Sequence, residues 1–274
     1  GLGGVGLHPG VASNRMGELS WVEAGDSGTK GAVVGRARLG GDDRAPRLEG
    51  LEIVWRQGPK VTGNGHFGHR IAFGPDAMLY IASGERQKFT PAQDRAQNLG
   101  KIVRLTDAGA VPEGNAIAGA SGVEAQIWSL GHRNPLGIAF DSDGRLWEIE
   151  MGPRGGDELN LIERGGNYGY PTVSNGDHYD GRVIPDHSAG DGFVAPKLWW
   201  TPAISPAGLL IYSGGMFPAW RGDAFIPALS GEALVRVDLD GTSATPAERW
   251  STGFRVRAVA EAGDGALLIA EDGE

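Results

Sequence analysis

Residues Trp128 to Pro171 read WSLGHRNPLGIAFDSDGRLWEIEMGPRGGDELNLIERGGNYGYP. Two strand-like runs, Leu136–Phe140 and Arg145–Glu150, are joined by Asp141-Ser142-Asp143-Gly144. Rich in β-branched, aromatic and Leu residues and bounded by turn formers, the runs predict a β-hairpin whose Gly takes the positive φ. Around them gather Arg133 and Asn134, the Gly152-Pro153 turn, and the adjacent acids Asp157 and Glu158. A guanidinium offers a planar five-donor fork to a carboxylate or quinone oxygen. Two carboxylates flanked by turns are hard oxygen donors of the kind Ca²⁺ takes. The same residues also read as a solvated acidic loop beside a structural Arg, and spacing alone leaves both readings open.

Outward from this stretch the hairpin pattern recurs. An apolar strand, a turn rich in Pro, Asp and Gly, and a second strand appear around positions 10, 76, 143, 207 and 264, in steps of 66, 67, 64 and 57 residues. A period near 60 suits a four-stranded propeller blade with insertions. Leu51–Trp55, Lys101–Leu105, Ala125–Trp128, Leu198–Trp200, Ala224–Pro227 and Leu234–Leu239 supply further strands. The best helix signal is Thr90-Pro91, as N-cap and first turn, running to a stop at Gly100. The polar stretch from Ser174 to Gly192 predicts a long binding or lid loop. The expectation is an all-β chain, one propeller domain over residues 1–274. The chain opens inside a motif and stops after one; if the parent ring has six blades, about one blade and the closing strand are expected to be missing.

Composition agrees. Glycine accounts for 47 of 274 residues, roughly 17% against a usual ~7%, with no Gly-X-Y period, as many tight turns require. A net charge of −9 argues against a nucleic-acid partner, which needs a basic face. No apolar run approaches the ~18 residues of a membrane span. With no cysteine, disulfides, thiolate metal sites and a Cys nucleophile are excluded.

A second focus is Thr62-Gly63-Asn64-Gly65-His66-Phe67-Gly68-His69-Arg70, a Gly-rich loop presenting two histidines before a strand. His66 is a candidate general base, and Glu85 in Ser83-Gly84-Glu85 a carboxylate to orient it. Incidental surface histidines are the plainer alternative. Arg255 and Arg257, two apart on one strand, aim the same way; they suit either an anionic ligand or a charged edge strand.

On GLGGVGLHP, TGNGHFGHRIAF, GHRNPLG followed by GPRGGDE and NYGYP, FPAWRGDAFIPAL and RVRAV, the chain resembles the soluble pyrroloquinoline-quinone (PQQ) dependent aldose sugar dehydrogenases of the glucose/sorbosone dehydrogenase family, six-bladed β-propellers. The resemblance implies oxidation of the C1 hydroxyl of an aldose to a lactone, with PQQ, Ca²⁺ and an external electron acceptor, in the periplasm or outside the cell. It implies His66 as base, Glu85 as its partner, Arg133 polarising the quinone and Asn134 contacting it. It further implies Gly152 and Pro153 as carbonyl ligands of the cofactor's Ca²⁺, Glu158 and Tyr168 at a second Ca²⁺, and Arg255 and Arg257 on the cofactor carboxylates. Ser230 stands where relatives have Lys, His69 where Gly is usual, and Met151 where a more polar residue precedes Gly-Pro. A non-catalytic binding propeller and a Ca²⁺-dependent lactonase are the rival readings.

Overall fold

The computed structural model describes residues 2–42 and 44–273. Its described residues form eighteen strands, one helical turn at Val11–Asn14 and four 3₁₀ turns. Every sheet is a meander of sequential antiparallel strands. The first holds β1 (Leu2–Leu7), β2 (Met16–Ala24), β3 (Lys30–Asp42) and β4 (Ala45–Arg56). The second holds β5 (Gly68–Phe73), β6 (Leu79–Ser83), β7 (Lys101–Leu105) and β8 (Ile127–Leu130). The third holds β9 (Pro135–Phe140), β10 (Leu146–Glu150), β11 (Asp157–Ile162) and β12 (Leu198–Trp200). The fourth holds β13 (Leu210–Ile211), β14 (Ala224–Ala228), β15 (Ala233–Asp240) and β16 (Ser243–Ser251), and the fifth β17 (Val256–Glu261) and β18 (Leu267–Glu271). Each repeat period is thus one four-stranded sheet, the up-and-down unit of a propeller blade.

Residues 1–134 with 164–166 make one compact unit, and residues 135–163 with 167–274 a second. In the first, alternate residues of β6 and β7 (Leu79, Ile81, Val103, Leu105) pack on Ala32, Val34 and Trp55 of the first sheet. In the second, Trp147 and Ile149 of β10 and Leu159 and Leu161 of β11 meet Ala224, Ile226, Val235 and Val237. Tyr212, Phe225 and Leu234 carry the next layer, against Val259 and Leu267. Period-two alternation therefore builds each apolar face, and each fully buried Val, Leu, Ile or Phe contributes about 1.5–3 kcal/mol.

Three expectations need correction. The helix expected from Thr90 to Gly100 is only the 3₁₀ turn Thr90–Ala92. The carbonyls of Pro91, Ala92 and Leu99 instead accept from the buried ammonium of Lys101, at 2.7, 3.0 and 2.7 Å. The repeat copy at position 207 is no hairpin turn. Pro206 bridges Ala228 and Leu210 pairs with Phe225, so residues 206–211 run as one interrupted strand and the chain reverses after Tyr212. Asp157 and Glu158 are not a solvated loop: they open β11 and are 1% and 5% exposed.

Candidate functional site

The β5–β6 ladder positions the first group. Gly68 pairs with Ser83, so residues two beyond each, His66 and Glu85, fall opposite one another past the end of the hairpin. Phe67 O accepts from Gly84 N at 3.1 Å, and His66 O from Arg86 N at 3.2 Å. A Cβ on Gly84 would lie 2.2 Å from His66 O, so only glycine permits this approach. His66 Nδ1 lies 2.5 Å from Glu85 Oε1, the ring 14% exposed and the carboxylate fully buried.

Glu85 is caged. Its Oε1 also accepts from Gln87 N at 2.9 Å, and its Oε2 from Lys88 N and Phe89 N at 2.5 and 2.6 Å. Burial pushes the carboxyl up, but the His66 hydrogen bond and charge, the backbone donors and the Arg133 charge outweigh it and hold Glu85 below the usual carboxylate range. An ionised Glu85 fixes the proton of a neutral His66 on Nδ1, which leaves the Nε2 lone pair as the basic atom. Arg133, nearly buried, is tied to the same place: its carbonyl accepts from Glu85 N at 2.9 Å. Asn134 follows it, equally buried.

His69 is a different kind of histidine. It is buried on β5, with Nδ1 3.0 Å from Ser20 Oγ, and the ring fills the space a Cβ on Gly3 would need. Burial and then the Arg70 charge pull its pKa down to about 4, against ~6.5 in an unfolded chain. Between those values the unfolded chain binds a proton that the folded one refuses. Stability therefore falls as pH drops through that window, by on the order of 3 kcal/mol in all. A His69→Gln variant is expected to flatten the Tm profile between about pH 6.5 and 4; an unchanged slope in thermal melts contradicts this.

In the second unit, β10 and β11 are apolar on one face and acidic on the other. Glu148 pairs with Asn160 and Glu150 with Glu158, so period two brings all four onto the face opposite Trp147 and Leu159, and all four are buried. Asn160 Nδ2 donates to Glu148 Oε2 at 3.0 Å and reaches Glu150 Oε1 at 3.5 Å. Glu148 Oε1 and Asn160 Oδ1 are buried without a hydrogen-bond partner among the described residues. Burial, then the charge of Glu150, pushes Glu148 and Glu158 well above the carboxylate range. Sequence reading named Glu158 here and missed Glu148, Glu150 and Asn160; the signal was acids where LWEIE should alternate toward solvent.

The Gly152-Pro153 turn is shaped by Asp157, whose Oδ1 accepts from Gly152 N at 2.9 Å. A Cβ on Gly152 would lie 2.1 Å from Gly156 O, a tight cradle. Tyr168 closes the turn after β11, its hydroxyl donating to Leu161 O at 2.6 Å and accepting from Glu163 N at 2.8 Å. Arg255 precedes β17 and Arg257 lies within it. About half exposed, they share the carboxylate of Asp272: Arg255 Nε reaches Oδ2 at 3.0 Å and Arg257 Nη2 reaches Oδ1 at 2.7 Å. Asp272 is the partner that sequence reading missed.

The glucose/sorbosone dehydrogenase family model matches residues 1–274. The chain belongs to that family. It is 38% identical over 278 residues to the aldose sugar dehydrogenase YliI of Escherichia coli (strain K12), covering 99% of this chain and 74% of that protein. The crystal structure of the soluble E. coli aldose sugar dehydrogenase in its apo form superposes with a TM-score of 0.92 at 38% identity, over 100% of this chain and 80% of that one. A PQQ-bound aldose sugar dehydrogenase from Streptomyces coelicolor gives a TM-score of 0.80 at 33% identity, over 98% and 73%. The four-stranded meanders are those of these β-propeller dehydrogenases, and the fold class is the expected one. Among the described residues no helix of this family member is long and apolar enough to cross a membrane.

Proposed function

We propose that this chain is a quinoprotein dehydrogenase that oxidises aldose sugars at C1 to lactones, using PQQ and Ca²⁺ and passing electrons to an external acceptor. The observation that carries the reading is the hydrogen bond between His66 and the caged Glu85. It leaves Nε2 of His66 basic, as removal of the anomeric hydroxyl proton requires. Glu85 stabilises the imidazolium that proton transfer creates, and its backbone cage keeps it from rotating away. When bound, PQQ supplies the two-electron acceptor and Ca²⁺ the positive charge that polarises it. In this reading Arg133 and Asn134 contact the cofactor, and Arg255 and Arg257 bind its carboxylates in exchange for Asp272. Gly152 and Pro153 hold one Ca²⁺ through their carbonyls, on a turn where the space around Gly152 admits no side chain.

A second Ca²⁺ fits the Glu158 and Tyr168 region on its donor chemistry. Three buried carboxylates converge on one sheet face, and Glu148 Oε1 and Asn160 Oδ1 are left there without a partner among the described residues. Hard oxygen donors of this kind suit Ca²⁺. The same acidic face favours a second reading, a Ca²⁺-dependent lactonase, which leaves the His66–Glu85 pair and the paired arginines without a role.

One experiment separates them. The chain, reconstituted with PQQ and Ca²⁺, is offered a panel of aldoses with a redox dye, and separately a lactone with Ca²⁺ alone. Dye reduction that needs both PQQ and Ca²⁺ and disappears with a chelator is the expected result. Lactone hydrolysis without dye reduction would replace this reading with the second.

A further inference from the structure

Arg86 is fully buried and makes no ion pair among the described residues. Its guanidinium is spent on three backbone carbonyls: Nε donates to Gly65 O at 2.9 Å, Nη2 to Gly63 O at 2.7 Å and Nη1 to Lys30 O at 2.5 Å. The guanidinium carbon sits 3.7 Å from the centroid of the Phe67 ring. These contacts bracket His66, which lies between Gly65 and Phe67 and has a left-handed backbone, φ 52°. Arg86 is itself left-handed, φ 62°. A non-glycine residue in that region costs about 1–3 kcal/mol and persists only where its surroundings over-determine it. Gln57 provides the matching clamp on the other side. Its Nε2 donates to Phe67 O at 3.1 Å and Gly84 O at 3.1 Å, and its Oε1 accepts from Ala32 N at 3.1 Å.

The geometry points to Arg86, with Gln57, as the positioning residue that holds the strained 63–67 loop so that His66 Nδ1 meets Glu85. The assignment rests on the proposed role of His66 as base. The fork is what the loop requires, because only a guanidinium presents donors at these three angles at once. A lysine keeps the charge and forfeits the fork. Arg86 touches backbone rather than any reacting group, so it acts only through His66.

The test uses the full chain with PQQ and Ca²⁺ and compares wild type with Arg86→Lys and Gln57→Met. The first reading is the downfield imidazole Nδ1 proton of ¹⁵N-histidine-labelled protein, assigned by its loss in His66→Gln. The second is the pH profile of kcat. Arg86→Lys is expected to lose the downfield proton, to lower kcat by about 10- to 100-fold and to move the acid limb of the profile to lower pH, with PQQ affinity unchanged. A variant with a lower Tm that keeps both the proton signal and the pH profile would make Arg86 merely structural and overturn the assignment. If Arg86→Lys does not fold, Gln57→Met decides by the same two readings. The proton signal does not depend on turnover: wild type that fails to oxidise sugars defeats the dehydrogenase reading, while loss of the signal in the variant still upholds the clamp.

Discussion

Changing His66 to alanine lowers kcat for aldose oxidation by about 10²–10⁴-fold, the range for removing a general base, while PQQ binding stays close to wild type. The expectation follows from what the side chain touches. His66 is joined to Glu85 at 2.5 Å, whereas the arginines proposed to hold the cofactor carboxylates pair with Asp272. Glu85→Gln is expected to fall less far. The glutamine still fills the cage, but one of its terminal atoms must now face Gln87 N or Lys88 N as a second donor, and the imidazolium loses its counter-charge. The sign of the pH effect is fixed by Glu85 itself. Its folded pKa is depressed, so its contribution to stability is present above the unfolded carboxylate value of ~4.3 and disappears as pH falls through the lower folded value. Steady-state kinetics with a dye acceptor, beside a PQQ titration followed by absorbance, reads both quantities. A His66→Ala protein that oxidises sugar at the wild-type rate removes His66 from the reaction. His69 would not replace it, being buried against Ser20.

The sheet repeat was legible because most copies of the motif, though not the one at position 207, are hairpins, and a hairpin turn must carry Gly, Asp or Pro whatever else varies. Asp141–Gly144 shows this: Gly144 has φ 80°, and Asp141 Oδ1 accepts from Asp143 N and Arg145 N. β2, β3, β11 and β16 escaped notice, and for β3 and β16 the reason is physical. β3 (KGAVVGRARLGGD) is broken by glycines and arginines, and β16 (SATPAERWS) is an exposed edge strand with Pro246 at a register shift. Neither has the apolar alternation that marks a strand. His66 and Glu85 could be paired from sequence because both are typical catalytic types at the end of one predicted hairpin. Arg86, Lys101 and Gln57 could not. Their hydrogen-bond partners are mostly backbone groups, which every residue has, so the sequence does not announce the contact. The same holds for Asp157, which in sequence looks like a metal ligand.

In the structure Asp157 is a latch, and its loss is expected to have the largest effect on stability. The carboxylate is 1% exposed. One oxygen accepts from Gly152 N at 2.9 Å, and the other from Ile204 N and Ser205 N, both at 2.7 Å. It thereby joins the Gly152-Pro153 turn to the segment after β12, where Ser205 is held left-handed at φ 53° and its Oγ lies 2.8 Å from Ser230 Oγ. Asp157→Ala strands three backbone donors in the interior, at about 1–3 kcal/mol for each buried donor left unsatisfied. Relaxation and entering water recover part of that, which leaves an expected loss of about 3–5 kcal/mol, as when one partner of a buried charged contact is removed. Tm should then fall by roughly 6–20 °C at 2–4 °C per kcal/mol. Asp157→Asn keeps an acceptor for one side only, so it should fall between alanine and wild type. Ca²⁺ separates the two roles open to this residue. If Asp157 only shapes the turn, isothermal titration of the folded Asp157→Asn protein keeps the wild-type Ca²⁺ stoichiometry with weaker binding. A stable variant, with Tm within about 2 °C of wild type and one Ca²⁺ fewer, would make Asp157 a metal ligand after all and the three backbone hydrogen bonds incidental.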